Sequence, residues 1–253
     1  MQTKYANLNS TEHEPDERQQ YVTELFDDLA PRYDRFNRFV SFQRDDIWRR
    51  HAIQSLHDCA KGTVLDLAAG TGDLAKAALV NGANEVLVFD IANNMLKIAR
   101  KKLLPLNNTS NRLGFQQGSA NALPFKNISC DAIVSGFAMR NVFHFLDDVL
   151  AEMYRALKPG GRFAILELSK PRNPIIKLGF SLHMRFVMPL IGKLAAGKWT
   201  PFKYLCETTM TFLPPESFKK RLETAGFQDV QWRTFLLGGI AIHCGQKPSS
   251  DSF

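Results

Sequence analysis

The chain has 253 residues, 45% of them hydrophobic, which is enough for a substantial core in one α/β domain or two small lobes. Its net charge of +7, from 32 Lys+Arg against 25 Asp+Glu, favours anionic surfaces such as lipid headgroups. No arginine/glycine tract or RNA-binding signature accompanies it, so no nucleic-acid partner is expected. Cys59, Cys130, Cys206, Cys244 and the histidines are scattered without C-x-x-C or H-E-x-x-H spacing. That pattern excludes a zinc knuckle or disulfide framework, predicts no metal, and fits reduced thiols in the cytoplasm.

Residues 1–19 are polar, lack a signal-peptide core and read as a flexible leader. Residues 20–57 place aromatic and aliphatic side chains at three-to-four spacing and read as helices, with Pro31 as a break. The rhythm then changes. TVLDLAA (63–69) is a short apolar run ending in a glycine-rich turn, followed by a helix from about Asp73 to Val80. EVLVFD (85–90) ends in an acid and precedes the helix-like NNMLKIARKKLL; LGFQQG (113–118) and DAIVSGF (131–137) continue the series. HFLDDVLAEMYRALKPGG reads as a helix stopped by Pro159 and Gly160-Gly161, and GRFAILEL (161–168) as a fifth strand. Alternating strands and helices predict a mostly parallel sheet covered on both faces, with the ligand loops along one edge. QDVQWRTFLL and GGIAIHCGQK, joined through Gly238-Gly239, predict a terminal hairpin with an antiparallel strand, and residues 248–253 a frayed tail.

Between these lies an apolar and basic insert, residues 174–199, interrupted by Lys177, His183, Arg185 and Lys193. A spanning helix needs about 20 predominantly apolar residues with few charges, so no transmembrane segment is expected. A cap over a greasy ligand, a peripheral membrane contact and ordinary core helices all remain open for it.

The turn Gly70-Thr71-Gly72-Asp73-Leu74-Ala75 fits the G-x-G-x-x-[G/A] dinucleotide pattern, with Asp90 at about the expected distance. A pyrophosphate would sit on the helix N-terminus. Asp73 occupies that place, where it caps the helix and repels phosphate, and Asp66 adds a second carboxylate beneath the turn. Close backbone approach in an acidic setting suits a ribose joined to a cationic amino acid, hence S-adenosylmethionine (SAM) rather than NAD. Asp90 can accept from ribose hydroxyls in either case.

Four blocks now resemble a known family: VLDLAAGTGDLA, FDIANNMLKIAR, ALPFKNISCDAIVSGFAMRNV and MYRALKPGGRFAILELSKP. They are similar to class I SAM-dependent methyltransferases. F-A-M-R-N-V (137–142), L-E-L-S-K-P (166–171), K-Y-L-C-E-T (203–208) and A-P-R-Y-D-R-F-N (30–37) resemble, more narrowly, the ubiquinone/menaquinone biosynthesis C-methyltransferases. The resemblance implies one Rossmann-like α/β domain over 1–253, with a seven-stranded sheet holding one antiparallel strand. It also implies a helical cap from residues 20–57 and about 172–212. The implied activity is methylation of a ring carbon of a reduced polyprenylated quinol, demethylmenaquinol foremost, with a benzoquinol acceptor left open. The implied cofactor contacts are Asp66, Ala68, Gly70, Thr71, Gly72, Asp90, Ile91, Ser119, Ala120 and Ser135. Three positions depart from the family pattern. Ala69 stands where glycine is common and is tolerable at negative φ. Ser119 replaces Asn or Asp, and Asn121 replaces Glu.

A ring carbon is a poor nucleophile unless a neighbouring phenol is losing its proton, so the acceptor should be reduced and the site should steady a phenolate. Arginine is a poor base. Arg140 is therefore expected to stabilise the phenolate or orient a water that Asn141 fixes, or alternatively to brace the cap through a carboxylate such as Glu207. Tyr33, Tyr204 and Glu207 are expected to close over the ring, and His144 and His183 are candidate proton acceptors. Two other readings stay open: a same-fold methyltransferase acting on a phenol or sterol, and a non-catalytic SAM-binding assembly protein. A homo-oligomer is also open.

Overall fold

The computed structural model describes residues 15–41, 44–106, 112–188 and 200–249. Seven strands form one sheet: β1 (Thr63–Leu67), β2 (Glu85–Asp90), β3 (Arg112–Gln117), β4 (Cys130–Gly136), β5 (Leu157–Leu168), β6 (Gln228–Phe235) and β7 (Ile240–Gln246). Their order is β3-β2-β1-β4-β5-β7-β6. All pairs are parallel except β5–β7 and β6–β7, so the terminal hairpin inserts β7 antiparallel, as its Gly-Gly turn predicts. The register aligns Asp66 with Val88 and Val134, which brings the C-terminal ends of β1, β2 and β4 to one edge. The chain order reverses between β1 and β4, and that is where a crevice opens.

Strand residues alternate between two cores. Val64, Val86, Val134 and Ala164 face α2 (Asp45–Gln54), α3 (Asp73–Val80) and α4 (Asn93–Leu103). Leu65, Leu67, Ile133, Phe163 and Ile165 face α5 (Leu146–Ala156) and α8 (Pro215–Thr224). Burial on both faces explains why these strands read as near-continuous apolar runs. Phe163 and Phe218 are fully buried, each contributing about 1.5–3 kcal/mol of apolar transfer.

Three local expectations change. Pro31 does not end a helix: α1 runs unbroken over Pro15–Val40, beginning inside the segment expected as a leader. Proline removes one i→i−4 bond. Packing on both sides offsets that loss, since Ala30 and Tyr33 join Ala92 and Met95 of the α4 region. The Asp27 carboxylate also accepts the Asn94 N–H at the start of α4 (2.8 Å), so α1 caps a helix far along the chain. Next, β5 begins at Leu157, within the stretch expected as helix, pairs Leu157 with Cys130, bulges through the proline and glycines, and rejoins at Arg162. Finally, Asp73 is not the cap of α3. Gly72 holds that position at φ 79° without a side-chain cap, and Asp66 accepts the Ala75 N–H at 2.7 Å instead.

The remaining helices are α6 (Pro174–Leu182), continued by a π-helical turn His183–Val187, and α7 (Thr200–Thr211). With α1 and the start of α2 they stand over the C-terminal edge of the sheet as the helical cap. Residues 189–199 of the insert lie outside the described residues. Among the described residues no helix is long and apolar enough to cross a membrane.

Candidate active site

The glycine loop is built on three left-handed residues, Ala68 (φ 54°), Gly70 (φ 55°) and Gly72 (φ 79°). Ala69 is not among them, so its methyl is harmless; the strain falls on Ala68, at about 1–2 kcal/mol for a non-glycine residue. Such an outlier at a sheet edge points to function. Gly70 donates its N–H to Asp90 Oδ2 (2.7 Å), and Asp90 Oδ1 accepts from Ala92 (2.8 Å). The β2 carboxylate thus fixes the loop after β1. A Cβ on Gly72 would stand 2.9 Å from Leu103, so glycine here also allows α3 to pack on α4.

Burial raises the Asp66 carboxyl to about 7, with Asp90 and Asp73 nearby pushing the same way. Burial likewise raises Asp90 to about 6, against the hydrogen bonds from Ala92 and Gly70. Asp73 pairs with Lys102 (2.6 Å) and Arg49 (3.2 Å). Its charge is therefore offset, and repulsion by Asp73 is not what makes the loop a poor phosphate cradle. The better reason is that Asp66 already occupies the Ala75 amide at the mouth of α3. Thr71 donates to Asp34 Oδ1 and accepts from Lys102 (3.1 Å), so α1 is also tied to the loop.

Two small hollows flank Ala68. One is lined by Asp66, Gly70, Thr71, Tyr33, Asn37 and Arg49, and into this setting falls the Asp66 Oδ1, a buried oxygen without a hydrogen-bond partner among the described residues. The other is lined by Asp90, Ile91, Ser119, Ala120, Asn141 and Gln19. There Gln19 donates to Ser119 Oγ (2.7 Å), which donates in turn to Asn121 Oδ1. The two departing positions, 119 and 121, are thus hydrogen-bonded to each other.

A third, larger cavity of about 290 Å³ lies under the cap, close to the usual lower size for a small-molecule pocket. Its wall is mainly apolar, with Leu29 from α1, Phe180 and Met184 from α6 and its continuation, and Ile240 from β7. Tyr33, Tyr204, Arg140 and His183 supply polar groups. Tyr33, Asn37, Arg49 and Phe137 line both this cavity and the hollow beside Asp66, so they stand where the two spaces meet. Burial raises the Tyr33 phenol above its ordinary value, with Asn37 hydrogen-bonded to it and pulling it back.

Arg140 sits on the cavity wall with its Nη1 on Glu167 Oε1 (2.7 Å) and on the Phe137 carbonyl. Glu167 Oε2 accepts the Arg140 N–H (3.2 Å) and Oε1 the Leu168 N–H (2.8 Å), so one carboxylate holds two chain ends. The carboxylate that braces Arg140 is thus Glu167 of β5, in place of the suggested Glu207. Glu207 is half-buried on α7 and is not part of the cavity wall. Asn141 turns toward the Asp90 hollow, away from Arg140's cavity. Ser135 is fully buried and donates to the Leu67 carbonyl (2.7 Å), and Gly72 faces α4. His144 is exposed and outside the cavity.

Arg49, Asn37 and Glu167 were not singled out by sequence reasoning. Arg49 belongs to Trp48-Arg49-Arg50 on an amphipathic helix, where one of two arginines is buried. Burial alone would lower its guanidinium, yet Asp73 and Asp45 hold it above its ordinary value. Glu167 was visible as a lone acid in the apolar run AILEL.

Residues 14–247 match the family described as the ubiE/COQ5 methyltransferase family. The chain belongs to that family. It is a methyltransferase by fold and by descent. The chain is 34% identical over 237 residues to a demethylmenaquinone methyltransferase of Staphylococcus haemolyticus, covering 93% of this chain and 97% of that one. It is 36% identical over 228 residues to the enzyme of the same name from Lactiplantibacillus plantarum, covering 89% and 95%. Among solved structures, a SAM-dependent methyltransferase from Thermotoga maritima superposes with a TM-score of 0.62 at 18% identity, covering 89% of this chain and 99% of that one. The [4+2]-cyclase SpnF reaches 0.68 at 16% identity, covering 91% and 97%. Those two likenesses show the fold alone.

Proposed function

We propose that this chain binds SAM along the glycine loop and methylates a ring carbon of a reduced polyprenylated naphthoquinol, demethylmenaquinol foremost, at a membrane surface in the cytoplasm. The observation that carries the reading is the meeting of two unlike spaces. An acidic hollow with an unpartnered carboxylate oxygen opens, past Tyr33 and Asn37, into an apolar cavity with a few polar groups. The residues fit the cofactor: Asp66 Oδ1 suits an ammonium, Asp90 a ribose diol, and Ala120 with Ser119 an adenine edge. Bound there, SAM would supply an electrophilic methyl on a sulfonium.

Each residue then has a part. The cap excludes water, and Tyr33 with Tyr204 holds the ring edge-on to the junction. Arg140, fixed by Glu167, presents its buried Nε, which has no partner among the described residues, to oxygen charge developing on the ring. Asn141 lines the cofactor hollow and steadies the turn behind Arg140, with a weak bond to the Phe137 carbonyl (3.4 Å). His183 lines the cavity from a position that is also open to solvent, and it is the proton acceptor we assign. The relatives' shared name favours a naphthoquinol over a benzoquinol. The test is incubation with labelled SAM and short-chain demethylmenaquinol, with the product identified by mass. Label in the methylated quinol supports the proposal, and its absence from every quinol rejects it.

A further inference from the structure

The outward side of α6 and the turn between β6 and β7 expose an apolar surface. Ile175, Leu178, Leu182 and Phe186 recur at three- and four-residue spacing, which places them on one side of the helix. They are 82%, 63%, 50% and 61% exposed. The other side of the same helix and its continuation, with Phe180, Met184 and Met188, lines the large cavity. The β6–β7 turn repeats this division. Leu236 lines the cavity and Leu237 is 78% exposed, and both hold left-handed φ of 48° and 55°. A bulky residue in that conformation is an outlier, and two in succession hold leucines toward solvent at a local cost. Phe180 lies against Gly239, so α6 and this turn form one rim around the cavity mouth.

Charge says what the rim would meet. The sequence carries no acid between Glu167 and Glu207; among the described residues of that stretch Lys177 and Arg185 are exposed cations, while Lys170 donates to the Met210 carbonyl and Arg172 pairs with Glu216. Lys177 and Arg185 stand on the exposed helix itself, and the Arg185 guanidinium lies 5.7 Å from the Phe186 ring centre. Apolar residues flanked by cations, with no acid in the segment, match the boundary of an anionic bilayer, where acyl chains lie beneath phosphate groups.

We propose that this rim docks on an anionic lipid bilayer and sets the cavity mouth on it, so that the acceptor's isoprenoid tail passes from lipid to cavity without crossing water. The docking face rests on the lipid-acceptor reading for its purpose, and on exposure and charge for its location.

Flotation of the full chain with phosphatidylglycerol-containing vesicles tests it, with pure phosphatidylcholine vesicles as the neutral arm. The wild type is expected to float with the anionic vesicles at low salt and to release at high salt. Ile175→Asp/Leu178→Asp/Leu237→Asp is expected to lose vesicle affinity by tenfold or more at unchanged thermal midpoint, since all three sites are exposed and aspartate tolerates the Leu237 conformation. Lys177→Gln/Arg185→Gln is expected to weaken binding roughly fivefold per residue. Failure of the wild type to bind, or equal binding by the triple variant, overturns the docking face. So does light scattering that shows a wild-type dimer and a triple-variant monomer, because a second copy of the chain would then cover the rim. Turnover of a short-chain acceptor in solution reads the quinol proposal separately: the triple variant should keep the wild-type rate, and a wild type without turnover rejects that proposal whatever the vesicles show.

Discussion

Glu167→Ala is the most demanding perturbation of this site. Glu167 and Arg140 are 1% and 4% exposed, with 2.7 Å between Oε1 and Nη1. Their mutual attraction at an effective dielectric near 20 is about 6 kcal/mol, most of which is offset by the cost of taking both ions from water. Truncating one partner removes the attraction but leaves the other's desolvation in place, which costs about 3–5 kcal/mol. The backbone amides of Arg140 and Leu168 lose their acceptor as well, so the upper half of that range is expected. For a chain of this size each kcal/mol shifts the midpoint by about 2–4 °C, so the upper half of that range gives a fall of about 8–20 °C. Urea and thermal unfolding, read by two probes to check two-state behaviour, provide the measurement. The control is Arg140→Leu/Glu167→Leu, which removes both charges and should regain most of the loss. A Glu167→Ala loss below about 1 kcal/mol, or a double variant no better than the single, would refute the claim that a buried ion pair fixes Arg140.

Asp66 is raised to about 7 in the folded chain and lies near 3.8 otherwise, so the unfolded state loses its proton first. Stability should therefore fall as pH rises from about 4 to 7 and level off above, by up to roughly 4 kcal/mol, and Asp66→Asn should flatten that slope in pH-dependent denaturation. Gly72→Ala should cost about 2–4 kcal/mol, from φ 79° and a Cβ 2.9 Å from Leu103, measured by chemical denaturation. Calorimetry of SAM binding should show affinity rising between pH 5.5 and 8, because the ammonium gains an ion pair only once Asp66 ionises and the ribose hydroxyls donate best to an ionised Asp90. A flat profile would remove those two carboxylates from the cofactor site. Asp73→Asn should loosen α2 from the loop, seen as faster hydrogen exchange in α2, since Arg49 and Lys102 lose a shared partner.

The glycine-loop edge of the sheet was largely legible because its parts are local in sequence. A run of apolar residues ending in Asp66, a glycine turn and an acid at Asp90 each declare themselves within a few positions. The parallel sheet then brings them to one edge, and the Gly-Gly turn before β7 announced its antiparallel strand. The errors arose where the partner is distant. Pro31 read as a break because its own hydrogen bond is all that local chemistry shows; the contacts of Ala30 and Tyr33 with the α4 region come from tertiary structure. Asp73 read as a free charge because Arg49 and Lys102 lie on other helices.

What the sequence by itself determined is the Rossmann-like methyltransferase sheet, the glycine loop at its edge, and the narrower family behind four motif blocks. Periodicity, glycine placement and strand-end acids act over one or two elements, and any chain carrying them in this order faces the same packing problem. Only the tertiary structure decided that Arg140 is braced by Glu167, that Asn141 faces the other hollow, and that Tyr33 and Asn37 stand where the spaces meet. Those outcomes depend on which helix crosses which strand end. Burial then sets the charge of each group, and no local pattern of residues encodes the depth at which it will lie.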